Sequence, residues 1–409
     1  MLRFPRRLAA RFGALLRADP SGVRAGFGAL LISSGGDLVA GLTLGSITHT
    51  LDRLPGLLVL VPAAIGMRGN VFGALGSRLG TLIHTGTFRV SRRLTTPVGQ
   101  NVAAALLLSL STSLALAVLA KATAVAFGVD PSISVVDFMV VSVVGALLSS
   151  LVVLAITIGV ASQCAQRRWD LDNVAAPIVT AAGDVATLPS LFLATYLLGI
   201  HFFTPVIAGL CAIACLVALI AGLRSGLQTL RRIVIESTPV LVLAGVVDVL
   251  AGVTIEKRTE SFLVFPALLV LIPPFLEDSG LGGILAARIS TRLHLGTLGR
   301  GRSPLAAADD VLLVLVYALP VFVLLGVSAD VAANVANLHS PGLLKMVAVS
   351  VVGGLMATVF AVVVGYYAAV FTHRLGLDPD NYGIPIVTST LDLFGAFSLI
   401  LAIVLLGLR

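Results

Sequence analysis

Two stretches of this chain put carboxylates where the surrounding composition calls for lipid. The first carries Asp172-Asn173, then Pro177-Ile178-Val179-Thr180, then Gly183-Asp184; the second repeats Asp380-Asn381, Pro385-Ile386-Val387-Thr388 and a closing Asp392 about 208 positions later. A motif recurring at one offset reads as a duplicated unit. Two further aspartates, Asp37 and Asp248, also fall inside apolar runs. An ionised carboxylate in lipid costs roughly 2.5–3.5 kcal/mol on insertion scales, so each needs a compensating partner or a task.

The flanking residues suggest the task. Pro177 and Pro385 each delete a backbone donor a turn or two before the aspartate, freeing carbonyl oxygens toward a cavity. Thr180 and Thr388 precede Asp184 and Asp392 by four residues and share their helix face. Two such copies across an axis, with carboxylates about 5 Å apart at an effective dielectric near 20, repel by about 3 kcal/mol, which a proton or a cation relieves. Oxygen donors without histidine or cysteine suit Mg²⁺ or Ca²⁺, and Mg²⁺ keeps its waters, so a hydrated ion is the expected guest. The metal-site candidates are therefore Asp184, Asp392, Thr180, Thr388, Asp37 and Asp248. For Asp37 and Asp248 a helix-tying hydrogen bond explains burial equally well.

Composition sets the frame for these groups. Of 409 residues 57% are hydrophobic and 11% charged, and the mean hydropathy is +1.06. Those values lie far from soluble usage and read as an integral membrane protein; helix-length apolar runs exclude an outer-membrane barrel. The net charge of +7 reads as orientation, without nucleic acid. Three cysteines support no disulfide framework, and Cys211 and Cys215 read as packing residues within one apolar run. The arginine-rich start, Met1 to Ala18, lacks an apolar signal core. A cytosolic lead-in is a plainer reading of it than a mitochondrial transit peptide.

Spans are expected near 25–48, 54–76, 99–121, 135–163, 175–199, 203–223, 237–255, 262–287, 309–328, 343–371 and 383–408, eleven in all. Lys and Arg on the N-terminal side of this topology number 21, Arg68 among them, against six opposite. A cytosolic N-terminus and an external C-terminus follow. The duplication extends further, because Asp37-Leu38-Val39-Ala40-Gly41 is similar to Asp248-Val249-Leu250-Ala251-Gly252, and Leu58-Val59-Leu60-Val61-Pro62 to Leu269-Val270-Leu271-Ile272-Pro273. Each unit has five spans, an odd number that would invert the second copy. The extra span at 203–223 carries the chain back across. The expected fold is thus an all-α polytopic membrane protein of two parallel five-helix repeats, related by a pseudo-twofold axis along the membrane normal. Its parts are a basic segment (1–24), a first repeat (25–200), a connecting helix and loop (201–232) and a second repeat (233–409).

Asp170, Asp172 and Asn173, matched by Asp378, Asp380 and Asn381, read as helix caps or an acidic vestibule. The Gly-rich block Pro62-Ala63-Ala64-Ile65-Gly66-Met67-Arg68-Gly69-Asn70 reads as close helix packing or a broken helix beside the pathway. His84 and His294 read as interfacial; Arg78 and Arg288 as partners for acids or headgroup anchors.

The block from Pro62 to Thr81, together with the two Asp-Asn-Pro-Thr-Asp stretches, resembles the membrane domain of the MgtE magnesium transporters. The resemblance is closer to the duplicated form in eukaryotic solute-carrier magnesium transporters and their prokaryotic relatives. It covers essentially the whole membrane region. It implies a Mg²⁺ pathway on the twofold axis, with Asp184 and Asp392 in place of the family's pore aspartate and the carbonyls of Thr180 and Thr388 steadying a hydrated ion. It also implies that one chain, as an internal pseudo-dimer, supplies the pathway in the cell membrane. The second repeat departs from the pattern at Pro273-Pro274-Phe275-Leu276-Glu277-Asp278, where Glu277 and Asp278 add acid to the mouth or pair with arginines. No cytosolic sensor region of the MgtE kind is recognisable, so gating by one is not expected.

Divalent cation transport is the leading expectation, as a channel or as an exchanger coupled to Na⁺ or H⁺, and not an enzyme activity. No phosphate-cradling Gly-x-x-x-x-Gly-Lys loop points to an ATP motor. The alternative of another class is an intramembrane aspartyl protease, for which two membrane aspartates are also the equipment. Its Gly-x-Gly-Asp signature is replaced here by Ala181-Ala182-Gly183-Asp184 and Ser34-Gly35-Gly36-Asp37. A helical assembly protein explains the small residues but not the paired motifs.

Overall fold

A computed structural model describes residues 20–91, 93–129, 131–167, 171–200, 202–276, 281, 285, 289, 308–375 and 384–408. At 20–27, 29, 30, 171–177, 308–310, 313, 369, 371–375, 384 and 386 it describes the backbone only. Every described element is a helix. In order these are α1 (Pro20–Ser46), α2 (Thr48–Arg53), α3 (Leu57–His84), α4 (Pro97–Ala126), α5 (Val135–Arg167), α6 (Leu171–Thr195) and α7 (Phe203–Leu223). Then follow α8 (Gln228–Glu256), α9 (Thr259–Val264), a 3₁₀ turn (Pro266–Leu271) running into α10 (Ile272–Leu276), α11 (Ala308–Val335), α12 (Leu343–Leu375) and α13 (Ile384–Leu405).

Among the described residues nine helices are long and apolar enough to cross a membrane: α3 to α8 and α11 to α13. These coincide with nine of the expected spans. Of the other two, the first is the helix α1. The one expected at 262–287 opens as the short pieces α9, the 3₁₀ turn and α10, and most of its remainder lies outside the described residues. The cause of the 3₁₀ turn is local. Pro273 and Pro274 remove two successive donors that would have bonded Leu269 and Val270, and the chain before them tightens to 3₁₀.

Helix ends follow the sequence. Thr96 caps α4 by accepting from the Gly99 N–H at 3.1 Å, with Pro97 in the first turn where no donor is needed. Ser134 and Asp137 form a reciprocal box at the start of α5: the Asp137 N–H donates to the serine hydroxyl and the Ser134 N–H to the carboxylate. Gly56, at φ +90, turns the chain into α3.

Burial ranks the helices. In its most apolar window α3 is 78% buried, whereas α7 is 22% buried, so α3 is the central rod and α7 an outer one. Leu210, Ile213, Val217 and Ile220 of α7 are exposed, as lipid-facing residues are.

Packing between the two halves of the chain is reciprocal. Gly41 of α1 lies directly on the Val270 carbonyl, and Gly252 of α8 lies directly on the Val59 carbonyl. These four residues are the two repeat-related pairs, each offset by 211. The short helices α2 and α9 are six residues each and share the same offset. Inside each half the Ser142 hydroxyl donates to the Ser113 carbonyl and the Ser350 hydroxyl to the Phe322 carbonyl, both at 2.7 Å.

Candidate functional site

The buried centre is built on Gly66, a third of the way along α3. A methyl group placed there would stand 2.9 Å from Asp248 Oδ2 and 3.1 Å from Asp392 Oδ2. The two carboxylate oxygens are therefore at most 6.0 Å apart. Asp248 comes from α8 and Asp392 from α13, while the glycine that lets them meet comes from the other half of the chain. At that separation and an effective dielectric near 20, two ionised carboxylates repel by at least about 3 kcal/mol.

Asp248 is fully buried, and among the described residues neither of its oxygens receives a hydrogen bond. Ser389, also buried, is beside it on α13. One turn from Gly66, the Asn70 carbonyl oxygen accepts from the Thr388 hydroxyl at 2.9 Å, a hydroxyl that also lies 3.1 Å from the Pro385 carbonyl. The Asn70 amide nitrogen is buried without an acceptor among the described residues. From Asn70 a narrow cleft continues past Ala74, Ser237 and Pro385 to Arg78. Gly66 is about 14 Å along the helix from Leu57, Asp248 about 12 Å from Glu256 and Asp392 about 12 Å from Ile384, so the carboxylates sit near mid-depth.

The remaining sequence candidates occupy the first half. Asp37 on α1 and Asp184 on α6 are both buried, and their helices touch where Gly36 meets the Ala181 side chain. This is the repeat-related counterpart of Asp248 beside Ser389, because Ala181 and Ser389 correspond at the 208 offset. Gly183 packs toward Arg68 of α3. The three atoms nearest a methyl at Gly66 all belong to Asp248 and Asp392. Thr180 is half-buried on α6. Asp170, Asp378, Asp380, Asn381, Glu277, Asp278, Arg288 and His294 lie outside the described residues, and Asp172 and Asn173 are described only as helix backbone.

One expectation is corrected. Arg68, counted with the cytosolic cations, is 1% exposed in the middle of α3. Its guanidinium donates to the Ser109 hydroxyl (2.8 Å), the Ser150 hydroxyl (3.0 Å) and the Ala146 carbonyl (3.1 Å). Neutral partners on α4 and α5 hold it inside the bundle, which a tally of charges by side could not foresee. Sequence reasoning also passed over Glu256. Its carboxylate accepts the Gly56 N–H at 2.8 Å and the Leu58 N–H at 3.1 Å, capping α3 from the end of α8. A lone acid just past an expected span boundary was the available signal.

Carboxylate, hydroxyl and amide oxygens are donors for hard cations; among the described residues no group of three or more His, Cys, Asp or Glu gathers as a ready-made metal cage of any kind, so the acids here meet as a pair. Residues 61–194 and again 272–402 match the MgtE family, described as divalent cation transporter. The chain belongs to the MgtE family. Solute carrier family 41 member 3 of Rattus norvegicus is 27% identical over 414 residues, covering 92% of this chain and 85% of the relative. Solute carrier family 41 member 2 of Mus musculus is 28% identical over 415 residues, covering 91% and 68%; the Homo sapiens member 2 is 26% identical with the same coverage. No solved structure matches the chain. As a multi-pass helical member of the MgtE family, the protein is a divalent cation transporter of the membrane.

Proposed function

We propose that this protein moves Mg²⁺ across the membrane along a path that passes between Asp248 and Asp392. The observation that carries the reading is the convergence of those carboxylates on Gly66, with both Asp248 oxygens buried and, among the described residues, without a hydrogen-bond donor in place. A divalent ion with part of its water shell relieves their repulsion and leaves coordination to a few oxygens, which suits an ion that dehydrates reluctantly. Asp37 and Asp184, with Thr180, form the counterpart in the first half, and Thr388 orders Asn70 at the mouth of the cleft.

The architecture that goes with this reading is eleven spans in two parallel repeats, 25–200 and 233–409, with 201–232 as connector and 1–24 as a cytosolic lead-in. The reciprocal Gly41–Val270 and Gly252–Val59 contacts support a pseudo-twofold, since such an axis makes every contact occur twice. So does the family match, which falls once in each half. One chain then supplies the whole pathway, with the N-terminus cytosolic and the C-terminus outside.

The deciding experiment is Mg²⁺ flux into liposomes from the Asp248→Asn/Asp392→Asn double variant, in which shape is kept and charge removed. Flux falls to background in protein that is inserted and stable; wild-type flux in such protein sinks the proposal. Repeating the wild-type assay under imposed sodium, proton or voltage gradients separates a channel from an exchanger.

A further inference from the structure

Arg68 takes no part in the proposed pathway, yet it is a buried cation on the helix around which that pathway is built. Resting on the reading above, we propose that Arg68 is a specificity-determining residue, a fixed counter-charge that sets how tightly the acid constellation holds a divalent ion. Its position is between the two pairs: Gly66, two residues earlier, faces Asp248 and Asp392, and its own Cβ faces Gly183, next to Asp184. Its charge is directed elsewhere, into a pocket of neutral acceptors. Among the described residues no carboxylate forms an ion pair with it, and its Nε has no acceptor. A guanidinium held in this way keeps its charge, since no single acid neutralises it, and its field reaches the buried carboxylates with little screening.

Among its described residues the second half lacks the acceptors of this device. At the position of Ala146, whose carbonyl receives Arg68, stands Gly354, and the Phe322 ring lies on it, tilted against Phe275 at 5.6 Å. Ser109 corresponds to Ala318, and Ser150 to Thr358, whose hydroxyl turns back to the Gly354 carbonyl at 2.7 Å. The sequence counterpart of Arg68 is Ser279. The described helices of the second half thus close on Gly354 with an aromatic contact where the first half offers an acceptor to a cation. A charge kept in one half only is explained by what it does to the ion: four intramembrane aspartates alone would hold a divalent cation too firmly to release it, and conduction needs binding weak enough to leave.

The test is made on the full chain with Mg²⁺ as the probe, reading the Mg²⁺ concentration that half-maximally raises the thermal unfolding temperature, together with liposome flux. Removing a unit charge about 15 Å from a doubly charged ion, at an effective dielectric near 20, alters affinity roughly tenfold or more. Arg68→Gln is expected to lower the Mg²⁺ midpoint by at least about fivefold and to slow flux. Arg68→Lys, which keeps the charge but not the fork, is expected to retain the wild-type midpoint. An unchanged midpoint in Arg68→Gln, or equal shifts in Arg68→Gln and Arg68→Lys, overturns the proposal. Should Arg68→Gln not insert, Arg68→Lys decides: a purely structural role predicts loss there too, and such loss overturns it. Failure of the underlying site reading looks different, because Asp248→Asn/Asp392→Asn would then keep the wild-type Mg²⁺ midpoint.

Discussion

Gly66→Ala is the sharpest probe of the site, because a single methyl group goes to the point where two acids meet. The added carbon would stand 2.9 and 3.1 Å from the two Oδ2 atoms, closer than ordinary carbon–oxygen contact. The carboxylates retreat by a few tenths of an ångström, and an ion that bridged them loses its approach from the α3 side. Stability responds in the opposite sense at first: alanine replaces glycine inside a helix, a gain of up to about 1 kcal/mol. Crowding returns about 1–3 kcal/mol, so the net change is a loss of roughly 0–2 kcal/mol. Transport is expected to fall at least about tenfold, equivalent to about 1.4 kcal/mol of lost stabilisation along the path.

Gly69→Ala is the matched control. One turn along the same helix, a methyl at Gly69 meets nothing within 4 Å. That variant gains up to about 1 kcal/mol and keeps wild-type flux. Both are assayed by Mg²⁺ uptake into liposomes with a trapped indicator dye, normalised to inserted protein, with thermal unfolding in parallel. If Gly66→Ala transports as well as Gly69→Ala, the carboxylates do not meet on the ion's route, and the geometry assigned to Asp248 and Asp392 has no functional content.

Gly252→Ala drives a methyl onto the Val59 carbonyl and Gly41→Ala one onto Val270, so each is expected to lose about 1–3 kcal/mol or more, and by similar amounts, in thermal unfolding. A loss confined to one of them would contradict reciprocal packing. Glu256→Ala leaves the Gly56 and Leu58 N–H groups without their acceptor and is expected to cost about 2–3 kcal/mol, with Glu256→Gln costing less; equal unfolding temperatures for wild type and Glu256→Ala would refute the cap. Ser142→Ala and Ser350→Ala each delete one interhelical bond and should each lower stability by about 1 kcal/mol, additively in the double variant.

Much of this was legible in the residues, for reasons that also mark where legibility ends. Apolar run length located nine helices, because lipid forces the backbone to satisfy itself within each segment. The same rule could not foresee that Pro273 and Pro274 would put a 3₁₀ turn into the run at 262–287, since hydropathy carries no record of lost donors. Asp248 and Asp392 could be named as ion candidates from their cost in lipid, but which acid meets which is a property of helix contacts. Repeat symmetry suggested pairing equivalent residues, Asp184 with Asp392. The contact on Gly66 joins the non-equivalent Asp248 and Asp392, from the first and last long helices of one half, a meeting that equivalence alone does not point to. Arg68 was counted with the cytosolic cations because nothing in its own segment shows a partner, and the Ser109 and Ser150 hydroxyls and the Ala146 carbonyl that satisfy it in the bundle come from other helices.

Duplication explains why these departures gather on α3. In a symmetric dimer of single repeats, any residue at this position must serve both copies, and an arginine or a glycine appears twice. Fusing the copies removes that constraint. Where the first half has Gly66 and Arg68, the second has Glu277 and Ser279. The glycine opens α3 to the carboxylates of the other half, while the arginine two residues on is turned away into its own bundle by neutral acceptors. One helix thereby carries an open face toward the acids and a cation held among neutral acceptors. Because 3.6 residues make a turn, positions two apart look out on nearly opposite sides, so neither function obstructs the other. A symmetric dimer of single repeats could not separate them between halves, whereas the fused chain can.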